Sequence, residues 1–338
     1  MSEPIRYKDA GVDIGAGDEA VGRIKAAVRS TFTPAVLTDI GRFGGFFAFN
    51  AAAFRKPVLV SSMDGVGTKL KVAFMAGRHD TVGEDLVNHC VNDIFVGGAR
   101  PLFFLDYIGT GKLAPSVIEE VISGMVRGCR NAGCALVGGE MAEMPGFYQG
   151  GEYDVAGCIV GAVEKSKIID GSSIRRGDVL IGLRSDGLHT NGYSLARKVF
   201  FEKAKCTVDS RMEGLEKSIG EELLRLHRCY LNPVAPLLDR NVLQGMAHVT
   251  GGGIEGNTRR VLPEGLDLLV DWKAWTVPPL FEMIRKLGNV PQDDMRRTFN
   301  LGIGFVLIVR PADADAVVAE LKAGGEEPVV TGEVVVSK

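Results

Sequence analysis

The run Asp64-Gly65-Val66-Gly67-Thr68-Lys69 puts a carboxylate, two glycines, a hydroxyl and an ammonium in six consecutive residues, directly after the apolar stretch Val58-Leu59-Val60-Ser61-Ser62. Glycine lets backbone approach a ligand closely, exposed amides suit phosphate oxygens, and an Asp beside them can hold the divalent ion that phosphates bring. A strand that ends in such a turn reads as a nucleotide-phosphate site, with Gly65, Gly67 and Thr68 against the nucleotide. The alternative is a glycine-rich turn with a solvated Lys.

Two later segments have related chemistry. Ser185-Asp186-Gly187-Leu188-His189-Thr190-Asn191-Gly192 follows an expected strand and opens an expected helix, where free amides and the helix dipole favour anions. His189 there could move a proton or bind a phosphate; a capping loop with an exposed His explains the segment equally well. His248-Val249-Thr250-Gly251-Gly252-Gly253 is a second cradle of the same type. Asp64, Asp93 and Glu140 come from three separate elements, each beside glycines or a helix end, which suits Mg²⁺ completed by phosphate and water. Asp93 follows Asn92 on a helix with apolar neighbours, so neither reads as solvated surface. Asp106 and Asp154 lie in strand patterns and are weaker candidates, while His79, His89 and His227 lack such neighbours and read as structural. Gly15-Ala16-Gly17-Asp18-Glu19-Ala20 matches a dinucleotide pattern but lacks a preceding strand, so it reads as a loop and helix cap. No G-x-x-x-x-G-K-[ST] run occurs, and Gly109-Thr110-Gly111-Lys112 lacks its spacing.

Positioning these groups takes many elements. The periodicity predicts helices over 18–28 with Asp18 as cap, 81–95 and 115–131, strands over 58–62, 102–107, 135–137 and 153–163, and a turn at Gly138-Gly139-Glu140. The polar segment 165–177 sets a boundary near 170, giving domains 1–170 and 171–338. Beyond it the pattern predicts a strand over 179–183, helices near 192–202, 221–230 and 233–238, one opened by Gly251-Gly252-Gly253, and strands near 266–270, 304–309 and 329–336. Strands and helices mix without steady alternation, so the fold class is α+β, helices layered on sheets.

With 338 residues, 46% of them hydrophobic, the chain can fill two cores. A net charge of −3 and the lack of a basic run with aromatics argue against nucleic acid as partner. Met1-Ser2-Glu3-Pro4-Ile5-Arg6 has no apolar signal core and no stretch is apolar enough to span a bilayer, so a soluble, cytoplasmic protein without a membrane partner is expected. Six cysteines without a Cys-x-x-Cys pair read as reduced thiols, with neither zinc nor disulfide.

Taken in order, Tyr7-Lys8-Asp9-Ala10-Gly11-Val12-Asp13, Asp64 to Lys69, Val91-Asn92-Asp93, Pro101 to Tyr107, Gly138-Gly139-Glu140, Ala142-Glu143-Met144-Pro145-Gly146, Tyr153-Asp154-Val155-Ala156-Gly157, His189 to Ser194, Thr250 to Gly253 and Arg297-Thr298-Phe299-Asn300 resemble the phosphoribosylformylglycinamidine cyclo-ligases, the aminoimidazole ribonucleotide synthetases of purine biosynthesis. The resemblance runs from about residue 7 to the C-terminus. It implies ATP-dependent closure of formylglycinamidine ribonucleotide to aminoimidazole ribonucleotide, with release of ADP and phosphate. It further implies a homodimer whose N-terminal sheets complete a shared barrel with ATP near it, and a sandwich-like C-terminal domain for the ribonucleotide. Carried onto this chain, it implies Lys69 and His189 as catalytic residues, Lys8, Asp9, Gly65, Gly67, Thr68 and Asn92 toward ATP, Asn191, Thr250, Gly251, Gly252 and Gly253 toward the ribonucleotide, and Asp64, Asp93 and Glu140 toward Mg²⁺. Met63, Met141 and Phe305 depart from the usual pattern, so no hydroxyl role falls to 141. A related synthetase of the same fold, which would be longer or depend on a glutaminase partner, and a non-catalytic nucleotide sensor are the competing readings. A sensor has no need to keep every acidic group.

Overall fold

The computed structural model describes residues 4–337, so the first three residues of the expected unprocessed N-terminus lie outside it. The β-branched run at 58–62 continues through the carboxylate, and β1 spans Pro57–Gly65. It joins β2 (Arg100–Thr110), β3 (Ala135–Glu143) and β4 (Tyr153–Glu164) in a sheet of order β1-β4-β2-β3, in which only the β2–β3 pair is parallel. The second sheet holds β5 (Val179–Arg184), β6 (Leu243–His248), β7 (Leu266–Val270), β8 (Ile303–Val309) and β9 (Val329–Val336), antiparallel throughout in the order β6-β8-β5-β9-β7. Strand β8 is buried at every residue, which is why it reads as an unbroken apolar run rather than an alternating one. The mixed, mainly antiparallel sheets with segregated helices are the expected α+β class.

Helices α1 (Ile14–Arg29), α2 (Lys69–Ala76), α3 (Val82–Phe95) and α4 (Pro115–Ala132) belong to the first half. Asp13, not Asp18, caps α1, accepting from the Gly15 and Ala16 amides, so the Gly15-x-Gly17 pattern is the first turn of a helix. Helix α3 lies against β1, β2 and β4 on one side and α4 on the other, and is buried almost throughout. The two helices meet through glycine: a Cβ at Gly83 would stand 1.9 Å from the Val121 carbonyl oxygen, so any larger residue would push α3 and α4 apart. The opposite face of this sheet is open, with Leu59 60% and Met63 67% exposed beside half-buried Phe103, Leu105, Cys158 and Val160.

The second half adds α5 (Tyr193–Arg197), α6 (Ile219–Leu223), α7 (Leu231–Leu238), α8 (Gly253–Arg259), α9 (Pro279–Gly288), α10 (Gln292–Thr298) and α11 (Pro311–Ala323). Two expectations fail locally. Gly138-Gly139-Glu140 is no turn but the middle of β3, because its backbone pairs with Leu105, Asp106 and Tyr107. The helix expected over 221–230 stops at Leu223. The loop that follows gives its polar backbone to α3: Asp85 Oδ1 accepts from the His227 amide at 2.7 Å, Asn88 Nδ2 donates to the His227 carbonyl at 2.7 Å, and Asn92 accepts from the Tyr230 amide at 2.9 Å. Side-chain partners from another element replace the hydrogen bonds a helix would have supplied. No described helix is long and apolar enough to cross a membrane.

Candidate functional site

Strand β1 turns Asp64 toward α3, and α3 presents His89 and Asp93 one turn apart on the facing side. His89 Nε2 lies 3.2 Å from Asp64 Oδ2 and 4.0 Å from Asp93 Oδ2. Ser62 of β1 donates to Asp93 Oδ2 at 3.2 Å. From the second sheet, β6 ends at His248, whose Nδ1 lies 2.8 Å from Asp93 Oδ1. These groups, with Asn191, Thr250, Asn257 and Arg260, line one cavity of about 500 Å³ between the two sheets. The Asp64 and Asp93 of the first half thus meet the two glycine-rich turns of the second in a single cleft.

Burial would push the Asp93 carboxyl up, but the His248 hydrogen bond and the neighbouring imidazoles outweigh it and hold Asp93 at about 2, ionised at neutral pH. Burial pulls His248 below its ordinary range against the opposing pull of Asp93, and pulls His189 and His227 further down, so these rings are neutral. Four of the chain's five histidines pack here: His227 stacks on His189 with ring centres 4.2 Å apart and touches His248, Nε2 to Nε2, at 2.8 Å. His89 and His227, read from the sequence as isolated structural residues, are therefore part of the cluster. The available signal was His89-x-x-x-Asp93, a spacing that puts both groups on one helix face. Arg260, the cation of the cleft, carried no such signal.

Other expected residues lie elsewhere. Lys69 was expected on a ligand-facing turn; it is fully buried, paired with Asp85 at 2.7 Å and donating to the carbonyls of His189 at 3.1 Å and Arg225 at 2.7 Å. Three oxygens surround an ammonium that has three protons, so nothing remains to meet a phosphate. His189 is also fully buried, at φ +61°, its Nε2 accepting from the Asp186 amide at 3.3 Å, and it lines no wall of the cleft. Asn92 has no exposed surface and donates to the Arg228 carbonyl at 2.8 Å, so it ties the halves together instead of facing a cofactor. Of the turn itself, Gly67 adopts φ +54° in open space and Thr68 reaches Ser194 Oγ at 3.1 Å, while Gly65 would put a Cβ 3.1 Å from the Val155 carbonyl. Asn191 and Thr250 line the cleft, and a Cβ at Gly251 would stand 3.4 Å from Asn191 Oδ1, so the two turns adjoin. The Gly252 and Gly253 amides are already bonded to the Arg297 and Thr250 carbonyls, which leaves that cradle fewer free donors than its glycines promised.

Glu140 does not join Asp64 and Asp93. Asp64 pairs with Gly157, Gly157 with Asp106 and Asp106 with Gly139, so Glu140 stands three strands away, roughly 14 Å at ~4.8 Å per strand. It lines a separate cavity of about 390 Å³ with Asp39, Gly41, Arg42, Gly44, Gly45 and Asp106. Lys8 and Asp9 lie near that edge too, Lys8 paired with Asp13 at 2.6 Å and Asp9 accepting from the Arg6 amide at 2.8 Å, while the Asp13 amide donates to Glu143 of β3. Burial pushes the half-buried Asp106 carboxyl up to about 7. A folded-state value above the ordinary ~3.9 of an unfolded Asp means stability that is complete below pH ~4 and lost as pH rises through about 7. Asp106→Asn is therefore expected to gain about 2 kcal/mol over the native chain between pH 5 and pH 8, read from urea unfolding at both pH values. An equal difference at the two pH values would show that Asp106 titrates normally.

Two family models match the chain: "AIR synthase related protein, N-terminal domain" over residues 50–163 and the C-terminal domain of the same description over 175–338. The phosphoribosylformylglycinamidine cyclo-ligase of Alkaliphilus metalliredigens is 51% identical over 98% of this chain and 95% of its own length. That of Trichlorobacter lovleyi is 53% identical over 99% and 96%. Among solved structures, the chain shares its fold with E. coli HypE, at TM-score 0.66 and 18% identity over 93% of this chain and 91% of that one. It also shares it with the thiamine-monophosphate kinase of Stenotrophomonas maltophilia, at TM-score 0.67 and 15% identity over 94% of each. The likeness extends to the hydrogenase maturation protein HypE in complex with ATP, TM-score 0.62 and 18% identity over 93% and 85%.

Proposed function

This chain belongs to the phosphoribosylformylglycinamidine cyclo-ligase family, and from that premise we propose that the cleft between its two sheets is where ATP drives closure of the imidazole ring. It is an ATP-dependent ligase forming a C–N bond in purine biosynthesis. The relatives match over nearly their whole length, which favours the cyclo-ligase over the longer synthetase. The observation that carries the assignment to this cleft is the meeting of Asp64 and Asp93 with Asn191, Thr250 and Arg260 in one cavity.

In the reaction, the formyl oxygen takes the γ-phosphoryl group of ATP and ADP departs. The amidine-derived nitrogen then attacks the same carbon, the C–O bond breaks, and phosphate leaves with the oxygen. The two carboxylates and the Ser62 hydroxyl form an oxygen donor set that fits Mg²⁺. When bound, such an ion supplies positive charge against the phosphoryl oxygens. His248 holds Asp93 in orientation through its Nδ1, the Arg260 guanidinium offers the remaining positive charge to phosphate, and Asn191 and Thr250 offer polar contacts to the ribonucleotide. Lys69, His189 and Asn92 act through the frame, fixing the loops that carry the cleft's second wall. The division of labour near residue 170 gives the first half to ATP and dimerisation, the second to the ribonucleotide.

The open face bearing Leu59, Met63, Phe103 and Leu105 supports a homodimer closed sheet against sheet, since an apolar face of that kind is covered in a stable assembly. A cytoplasmic enzyme suits this pathway. Incubation with ATP and formylglycinamidine ribonucleotide is expected to give aminoimidazole and ADP in equal amounts. ADP without aminoimidazole would leave a nucleotide-hydrolysing relative and remove the ring closure.

A further inference from the structure

One buried side chain holds the second of the cleft's glycine-rich turns. The turn takes two residues in succession through the left-handed region, Gly252 at φ +108° and Gly253 at φ +66°. Three of its carbonyls converge on Asn257 of α8, which is only 4% exposed. Asn257 Nδ2 lies 3.2 Å from the Thr250 carbonyl oxygen, 3.3 Å from that of Gly251 and 2.8 Å from that of Gly253. These contacts fix which way the amide lies. The reverse orientation would set an oxygen against three carbonyl oxygens at those distances, so the nitrogen faces the turn and Oδ1 is left for other partners.

Both of those partners line the cleft. Oδ1 lies 3.2 Å from Thr250 Oγ1 and 3.5 Å, the outer limit of a hydrogen bond, from Arg260 Nη1. Arg260 follows Asn257 by three residues, a spacing that makes them neighbours on one face. Closing the turn needs the nitrogen alone. The oxygen is spent on the two side chains of this wall that carry a hydroxyl and a positive charge to a ligand. Being neutral, it orients the guanidinium without cancelling its charge, as a carboxylate would.

We propose that Asn257 is a positioning residue for the ribonucleotide, shaping the turn with its nitrogen and holding the Thr250 hydroxyl and the Arg260 guanidinium in place with its oxygen. The guanidinium takes the ribonucleotide's phosphate and Thr250 meets its polar sugar portion. This rests on the reading of the cleft as the place of ring closure, and it commits the second wall to the ribonucleotide rather than to ATP. Asn257 itself touches neither reacting atom. Its effect is carried by the two side chains it holds, so it acts on binding of one substrate and not on the chemical step.

The test is steady-state kinetics of the full chain, arranged as a mutant cycle. Asn257→Ala is expected to raise the ribonucleotide KM ~10-fold or more, with kcat and the ATP KM within about threefold of the native values. In a chain already carrying Thr250→Ala and Arg260→Ala, the same change should add less than about twofold, because the groups it positions are gone. Should the alanine variant melt below the assay temperature, Asn257→Ser, smaller but still polar, is read in the same cycle. An equal rise in both backgrounds, or a loss in kcat with the ribonucleotide KM unmoved, would overturn the positioning role and leave the cleft reading standing. A rise in the ATP KM instead would overturn the commitment of this wall to the ribonucleotide. Native KM values for both substrates in the Thr250→Ala, Arg260→Ala chain would overturn the cleft reading, and the proposal with it.

Discussion

Exchange of Asp64 or Asp93 for Asn is expected to lower aminoimidazole formation by ~10³-fold or more while the protein stays folded. Each change is isosteric and removes one negative charge from the cavity where β1, α3 and β6 converge. At position 93 the Asn oxygen can still accept from His248 while its NH₂ donates to a reoriented Ser62 hydroxyl, so both contacts can be kept. What is lost is the charge that would hold a dication against the phosphoryl group, in a site walled by buried imidazoles where substitution by water is poor. The measurement is kcat at saturating ATP and divalent ion, with thermal unfolding of each variant alongside. A kcat within tenfold of the native value, in a variant that melts normally, would remove the two carboxylates from the chemistry.

Lys69→Met is expected to act on the fold, with a loss of about 3 to 5 kcal/mol. The ammonium and the Asp85 carboxylate are both completely buried, and burial pushes the one down and the other up in pKa while each partner opposes the other's shift. Removal of the Lys strands a carboxylate in the interior and frees the His189 and Arg225 carbonyls as well. The double change Lys69→Met with Asp85→Asn should recover part of the loss, since it removes the stranded charge. Urea unfolding of both variants checks the pair. A single variant within 1 kcal/mol of the native protein would place Lys69 outside the frame and return it to the ligand.

The two positions show which physics the sequence exposes. Strand β1, helices α3 and α4, and the α+β class follow from apolar periodicity and glycine punctuation, which are local properties. The direction a polar side chain takes is not local. Asp64 and Lys69 lie five residues apart in one motif, yet the strand turns Asp64 into the cleft and the first residue of α2 carries Lys69 into the interior. Glu140 sits in a run as glycine-rich as that of Asp64, and only sheet order puts two strands between them. His89 is marked only by its spacing to Asp93 and Arg260 by nothing, and the place of each depends on what folds against it.

Helix α3 is an element that both halves share as core. Its Asp85, Asn88 and Asn92 hold the 227–230 loop, and its Asp93 holds His248. Such a helix leaves no hinge: opening the halves like jaws would strip several buried polar groups of their partners at once, at ~1–3 kcal/mol each. Ligands are therefore expected to enter without a jaw-like opening, and heating to melt both halves in one cooperative step rather than two, which calorimetry would read as a single transition.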